Sequence, residues 1–171
     1  MTKQTKFSGR AWVVDVPDVD TDMIFHNRHL AITEKEKMAP HTFGNLPGWE
    51  DFPGKAQPGD ILIVGHNFGC GSSRQQAVDC FSALGVTAIV GESFGAIYFR
   101  NAVNSGMPII VTDNITKSGI ANGDTIEVDL EKSIISCPEK NITIQANTFS
   151  KVQMDIYQAG DLFTYGKSLA N

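Results

Sequence analysis

Residues 61–76 read Ile61-Leu62-Ile63-Val64-Gly65-His66-Asn67-Phe68-Gly69-Cys70-Gly71-Ser72-Ser73-Arg74-Gln75-Gln76, an apolar run followed by a glycine-rich turn. The apolar run predicts a buried strand, and the turn predicts a change of chain direction before a helix. Gly69 and Gly71 allow positive φ, so the turn can aim backbone N–H groups at an anion, while Arg74 offers a guanidinium suited to carboxylate or phosphate. The stretch therefore indicates an α/β fold with an anion site at the carboxyl end of a strand.

The spacing of this turn does not match the two common phosphate loops. It has no Lys-Ser or Lys-Thr pair after a four-residue gap and no third glycine in Gly-x-Gly-x-x-Gly register. A plain Gly-Ser turn remains open, with Ser72 as the N-cap of a helix that begins near Ser73. Cys70 is expected to be exposed, either in a packing role or as a thiolate stabilised by Arg74.

An acidic cluster follows the apolar residues 11–14. It consists of Asp15, Asp18, Asp20 and Asp22. The calcium-loop pattern of alternating aspartates, a central glycine and a final glutamate is absent. Such clusters usually lie in solvated turns. The acidic residues alone therefore do not decide between a functional site and a surface turn.

Composition and charge restrict the classes of function. The 171 residues include 42% hydrophobic residues, which suits a single domain with one core. A net charge of -5 opposes a broad basic surface, so no nucleic-acid partner is expected. The amino terminus lacks an apolar signal segment and no apolar stretch is long enough to span a bilayer, which predicts a cytoplasmic protein with no membrane partner.

The three cysteines show no metal-binding or disulfide pattern. They are Cys70, Cys80 and Cys137, an odd number without Cys-x-x-Cys spacing. Such spacing predicts neither a disulfide framework nor a zinc or iron–sulfur site within this chain. We therefore expect no metal ligands and no cofactor bound by this chain alone.

Short runs rich in Val and Ile predict an α/β fold with a largely parallel central sheet. These runs lie at residues 11–14, 61–64, 88–90 and 109–111. Three later runs predict a small additional antiparallel β layer, at residues 125–128, 134–136 and 142–145. Helices are expected at about residues 73–84, 96–104 and 152–159, followed by a docking tail at about 162–167.

Residues 28–58 fit no regular element. They contain four prolines and three glycines, together with Trp49 and Phe52. Loops of this length in compact domains are usually functional or disordered. The aromatic residues favour a functional lid.

Taken in order, the motifs of the chain resemble one known family. They are Asp18-Val19-Asp20-Thr21-Asp22-Met23-Ile24, the turn at 65–74, Glu92-Ser93-Phe94-Gly95-Ala96-Ile97-Tyr98-Phe99-Arg100-Asn101 and Gly106-Met107-Pro108. The same succession is found in the small subunits of 3-isopropylmalate dehydratase and homoaconitase-like enzymes, which correspond to the swivelling domain of aconitase. The resemblance runs from about residue 10 to residue 167. It implies a β/β/α swivelling-domain fold, with residues 1–171 as one domain and a substrate-specificity loop at about 26–58.

The resemblance also implies an activity and a partner. The family's enzymes are hydro-lyases that isomerise a substituted malate by dehydration and rehydration, as in the interconversion of 3-isopropylmalate and 2-isopropylmalate in leucine biosynthesis. They are active only with a large subunit, which carries a [4Fe-4S] cluster. The implied partners are that large subunit, in a heterodimer or heterotetramer, and a small dicarboxylate substrate.

Site residues follow from the same resemblance. Ser72 is the implied catalytic base and Asp22 its support, while Ser73 and Arg74 bind substrate and Arg28 is a second carboxylate clamp. An ordinary serine is too weak a base, so its alkoxide needs backbone N–H groups, a helix N-terminus and Arg74 nearby. The histidines at positions 26 and 29 are interpreted as exposed loop residues rather than proton shuttles.

Residues 30–33 are implied to recognise the variable group of the substrate. Leu30, Ala31 and Ile32 are the expected contacts, and the homoaconitase-like pattern has arginine where this chain has Ala31. An arginine pairs with a distal carboxylate, so Ala31 favours a small or apolar substituent, as in 3-isopropylmalate. His29 replaces the tyrosine of many relatives, which leaves homoaconitase, dimethylmalate and citramalate types of dehydratase open.

Two functions of other classes are also open at this stage. One is a non-catalytic anion-binding module that keeps the fold and the turn. The other is a nucleotide-binding flavodoxin-like protein, which the missing phosphate-loop spacing weakens. The joint presence of Ser72, Arg74 and Asp22 favours the enzyme.

Overall fold

The computed structural model describes residues 2–171, which form a seven-stranded sheet flanked by helices. The strands are β1 (Lys6–Val14), β2 (Ile61–Val64), β3 (Ala88–Gly91), β4 (Ile109–Val111), β5 (Thr125–Asp129), β6 (Ile134–Cys137) and β7 (Ile142–Gln145). Their order in the sheet is β4-β3-β2-β1-β5-β6-β7. Strands β1 to β4 are parallel, and β5 to β7 continue the sheet in antiparallel fashion from β1. The predicted fold class is confirmed.

Seven α-helices are present in residues 2–171. They are α1 (Thr21–Ile24), α2 (Lys35–Met38), α3 (Phe52–Lys55), α4 (Gln76–Ala83), α5 (Ala96–Asn104), α6 (Lys151–Ala159) and α7 (Leu162–Leu169). Helices α4 and α5 connect successive parallel strands, as the alternating sequence pattern predicted. None of the helices in these residues has the length and apolar character needed to cross a bilayer.

The sheet separates two apolar cores because side chains alternate along its strands. On β2, Leu62 and Val64 belong to the first core, and Ile61 and Ile63 belong to the second. The second core also contains Ile126 of β5, next to side chains of the parallel strands. The sheet therefore curls, so that its antiparallel strands cover one face of the parallel part and form the predicted additional layer.

Part of the segment 28–58 packs into the first core, whereas residues 33–37 are exposed. Phe43, Leu46 and Phe52 are at most 2% exposed, and Trp49 makes edge contacts with the rings of Trp12 and Phe43. Each large apolar side chain buried in this way contributes about 1.5 to 3 kcal/mol. These side chains are therefore packed rather than free, and the functional role of residues 28–58 stays a prediction.

Candidate active site

The serine turn, residues 65–75, leaves the carboxyl end of β2 in a conformation that requires glycine. Gly69 has φ of 77° and Gly71 has φ of 97°. A Cβ at Gly69 would also clash with the ring of Tyr98, which is buried below it. The Gly69 N–H donates to the carbonyl of Val19 at 2.7 Å. These contacts hold the turn against the acidic segment.

Thr21 forms the second connection between the acidic segment and the serine turn. Its N–H donates to the carbonyl of Cys70 at 3.0 Å, and its hydroxyl donates to the carbonyl of Ser72 at 3.0 Å. Thr21 is 3% exposed, so both hydrogen bonds are shielded from water. The acidic residues at 20 and 22 are therefore fixed next to the two serines.

Helix α4 begins later than the sequence predicted. Its first residue is Gln76, and Gln75 occupies the N-cap position without a side-chain hydrogen bond. Ser72 is consequently not the N-cap, because three residues separate it from the helix. The N–H groups of residues 71–74 donate to no acceptor within residues 2–171. Free N–H groups in a glycine-bent turn are a typical anion-binding arrangement.

The Arg74 side chain is held in place by one of its three guanidinium nitrogens. Nη1 donates to the carbonyl of Phe25 at 2.7 Å and to Oδ1 of Asp22 at 3.1 Å. The Arg74 side chain is only 9% exposed. Its Nε and Nη2 have no protein acceptor in the part of the chain that the structure describes. The guanidinium is thus preorganised, with two nitrogens left for an external anion.

Asp22 hydrogen-bonds Arg74 rather than Ser72. Its Oδ1 accepts the N–H of Asn27 at 2.9 Å, and its Oδ2 accepts Nδ2 of Asn45 at 3.1 Å. The Asn27 N–H, followed by the Arg74 guanidinium and His26, lowers the pKa of the Asp22 carboxyl. A carboxylate with this set of donors is ionised at neutral pH and orients the arginine. A catalytic role of Asp22 stays a prediction.

The two serines differ in their contacts. Both are exposed. Ser73 Oγ accepts a hydrogen bond from Nδ2 of Asn101 at 3.3 Å. Ser72 Oγ has no hydrogen-bond partner among residues 2–171, although its carbonyl is held by Thr21. Ser72 therefore presents a free hydroxyl on a backbone that is fixed.

The segment predicted to read the substrate lies beside the serine turn. Leu30 is 41% exposed, Ala31 is also exposed, and Ile32 is half-buried against the first core. Nε2 of Gln76 donates to the carbonyl of Leu30 at 3.2 Å, which joins this segment to the start of α4. Arg28 is exposed, and its Nε donates to Nε2 of His29 at 3.2 Å.

Several residues of the site were not predicted as site residues from the sequence. Thr21 and Asn101 belong to the motifs at residues 18–24 and 92–101 that carry the family resemblance, and this was the available signal in the sequence. Asn45 and His41 lie in residues 28–58, and their contacts with Asp22 and His29 are tertiary. No local pattern indicates such contacts.

The cysteines of this chain do not fit an iron–sulfur cluster. Cys80 is buried in the first core and Cys137 in the second, on opposite faces of the sheet. Burial, followed by Asp20 and Asp18, raises the pKa of the Cys70 thiol, so Arg74 does not stabilise a Cys70 thiolate. Among residues 2–171, no three His, Cys, Asp or Glu side chains are grouped closely enough to hold a metal ion.

Known proteins share both the sequence and the fold of this chain. Residues 22–115 match the aconitase C-terminal domain family. The 3-isopropylmalate dehydratase small subunit of Halothermothrix orenii is 39% identical over 145 residues, which cover 85% of this chain and 86% of that protein. The chain belongs to the aconitase C-terminal domain family. The family resemblance predicted from the motifs is confirmed.

Two further members of this family are similar over most of their length. The methanogen homoaconitase small subunit of Methanocaldococcus jannaschii is 40% identical over 151 residues, which cover 88% of this chain and 85% of that protein. A crystal structure of 3-isopropylmalate dehydratase from the same organism superimposes with a TM-score of 0.87 at 37% identity. The superposition covers 96% of this chain and 95% of that one.

Proposed function

We propose that this chain is the small subunit of 3-isopropylmalate dehydratase, a hydro-lyase of leucine biosynthesis that acts with a large subunit. The observation that carries the proposal is the arrangement around Ser72. A free hydroxyl, four unbonded N–H groups at 71–74 and two free nitrogens of Arg74 lie in one fixed turn. Two of the three relatives described above carry the name of this enzyme, and the third is a homoaconitase small subunit.

Proton transfer is the step assigned to Ser72. Its Oγ removes the proton from the carbon next to a substrate carboxylate, the hydroxyl leaves the neighbouring carbon, and water adds back with the two positions exchanged. A serine hydroxyl is far too weakly acidic to ionise unaided in water. The free N–H groups of the turn and the Arg74 guanidinium stabilise its oxyanion.

Substrate binding and orientation are assigned to Arg74, Asp22 and Ser73. Arg74 binds the carboxylate beside the transferred proton through Nε and Nη2, because Nη1 is already occupied. Asp22 orients Arg74 by accepting a hydrogen bond from its Nη1, and its support of Ser72 stays a prediction. Ser73 donates its hydroxyl hydrogen to the substrate while its oxygen accepts from Asn101.

The large subunit is proposed to hold the [4Fe-4S] cluster, because the cysteines of this chain cannot bind one. Ser72 and Ser73 are exposed, whereas stabilisation of a serine oxyanion requires a site that is shielded from bulk water. A partner surface that covers the serine turn, in a heterodimer or heterotetramer, meets this need. We also propose a cytoplasmic location, since its three free cysteines are typical of a reducing compartment.

The substrate is inferred from residues 30–32 rather than from overall similarity. Identities of 39% to a 3-isopropylmalate dehydratase and 40% to a homoaconitase subunit do not separate the two reactions. The exposed Leu30 and Ala31 offer an apolar surface without a cation, which suits the isopropyl group. Homoaconitase is the second candidate, and dimethylmalate or citramalate dehydratases fit the same apolar surface.

Ala31→Arg tests the substrate assignment. The new cation lies unpaired against an alkyl substituent and pairs with a distal carboxylate. We expect the assembled enzyme to lose about 1 to 3 kcal/mol of binding to 3-isopropylmalate, and to gain activity on a homoaconitate-type substrate. The measurement is the ratio of kcat/KM values for the two substrates with one fixed large subunit.

Ala121→Arg is the matched control, because Ala121 is exposed in a turn outside the site. It should leave the ratio unchanged. If the ratio of kcat/KM values is also unchanged in Ala31→Arg, residues 30–32 do not contact the variable group of the substrate. The choice of an apolar substrate would then lose its support.

A further inference from the structure

Two histidine rings stack beside the proposed substrate site. The centroids of His29 and His41 are 3.8 Å apart and their planes differ by 22°. The Phe25 ring packs in an edge-to-face arrangement against both, with its centroid 6.0 Å from that of His29 and 6.3 Å from that of His41. We call these three residues the ring cluster. Phe25 is fully buried, so the cluster is anchored in the first core.

The ring cluster contacts both arginines of the site. Nε of Arg28 donates to Nε2 of His29 at 3.2 Å. The carbonyl of Phe25 accepts Nη1 of Arg74 at 2.7 Å. Two guanidinium groups that are proposed to bind substrate carboxylates therefore share one support.

The hydrogen bond from Arg28 requires a neutral His29. Burial, followed by His41 and Arg28, lowers the pKa of His29. In the neutral ring with its proton on Nδ1, Nε2 has the lone pair that accepts the Arg28 N–H. The His29 carbonyl also accepts the N–H of Ile32 at 3.0 Å, so His29 fixes the turn that carries Leu30 and Ala31.

We propose that His41 is a positioning residue for substrate binding. By stacking on His29, it holds the ring that orients Arg28, whose remaining guanidinium nitrogens bind the carboxylate remote from Arg74. The inference rests on the proposed function, because it assigns a substrate contact to Arg28. His41 touches no substrate itself and acts through His29.

The first test observes Arg28 in the full chain by NMR, without a partner or substrate. Hydrogen exchange of the Arg28 Nε–H, assigned by its loss in Arg28→Lys, is compared in wild type, His41→Ala and His41→Phe. We expect exchange about fivefold faster in His41→Ala, and near wild type in His41→Phe, which keeps a stacking ring. Phe163→Ala, at an exposed aromatic residue of α7 outside the site, is the control.

The second test measures kinetics in the complex with the large subunit. His41→Ala should raise KM about tenfold with kcat nearly unchanged, since Arg28 binds substrate and transition state alike, and His41→Phe should restore KM. Melting temperatures of the variants show that a shifted KM does not reflect unfolding.

Unaltered Arg28 exchange in His41→Ala would overturn the positioning role. Faster exchange with an unaltered KM would overturn the link to substrate. A wild-type complex that turns over no substituted malate would refute the proposed function instead, and the exchange experiment would still decide whether His41 positions Arg28.

Discussion

Ser72→Ala is expected to lower the kcat of the assembled enzyme about 10³- to 10⁴-fold, with KM and stability nearly unchanged. The reason lies in the contacts of this residue. The Thr21 hydroxyl bonds to the carbonyl of Ser72, which alanine keeps, and Ser72 Oγ has no partner in residues 2–171. The substitution therefore removes the proposed base without removing a structural contact. Steady-state kinetics and a thermal melt provide the measurement.

Two other serines serve as comparisons. Ser82→Ala, at an exposed position on α4, should leave kcat unchanged. Ser73→Ala loses the hydrogen bond with Asn101 and one substrate contact, so its effect should be smaller, about tenfold. A Ser72→Ala enzyme that keeps more than a tenth of the wild-type kcat would remove Ser72 from the role of base.

Arg74→Lys should lower kcat/KM about 10²- to 10⁴-fold, since two charge-assisted hydrogen bonds of about 1.5 to 3 kcal/mol each are lost. Lysine carries the same charge, but a single ammonium cannot contact Asp22, the Phe25 carbonyl and a substrate carboxylate with the geometry of a planar fork. Part of the loss should appear in kcat, because Arg74 also stabilises the serine oxyanion.

Arg100→Lys is the matched control, because Arg100 lies exposed on α5. It should retain wild-type kcat/KM. The same enzyme assay, together with a thermal melt, also shows whether Arg74 binds the substrate carboxylate or only stabilises the fold. If Arg74→Lys lowered only the melting temperature and left kcat/KM within twofold of wild type, the guanidinium would be structural.

The strands of the parallel sheet were predictable because buried strands are continuous apolar runs. β2 and β4 lie at the predicted residues, Ile61–Val64 and Ile109–Val111. β1 begins at Lys6, five residues earlier than predicted. Its first half pairs with β5, and its mixed polar and apolar sequence hides the strand.

The start of α4 shows a different limit of sequence reasoning. A serine before an amphipathic run is a usual N-cap, yet tertiary bonds from Thr21 hold Ser72 in the turn. The preceding glycines keep the chain away from helical geometry until Gln76. The tertiary contact overrides the local propensity.

The site was only partly predictable, because some of its contacts follow from local sequence and others are tertiary. The sequence placed the acidic cluster and the serine turn each after a predicted strand, and the structure brings Asp22 within hydrogen-bond distance of Arg74. It gave no indication that Asp22 bonds Arg74 instead of Ser72, because that choice depends on side-chain geometry across 52 positions. The stacking of His29 on His41 is likewise a contact between two segments without any shared motif.

The most direct test of the proposal is a complementation assay with 3-isopropylmalate. Purified chain and a cluster-bearing large subunit of 3-isopropylmalate dehydratase are assayed separately and mixed, under anaerobic conditions, by the absorbance of the unsaturated intermediate. We expect no turnover by either subunit alone and sustained turnover by the mixture, faster with 3-isopropylmalate than with homoaconitate-type substrates. A mixture that leaves 3-isopropylmalate unchanged, or a large subunit equally active without this chain, would contradict the proposed function.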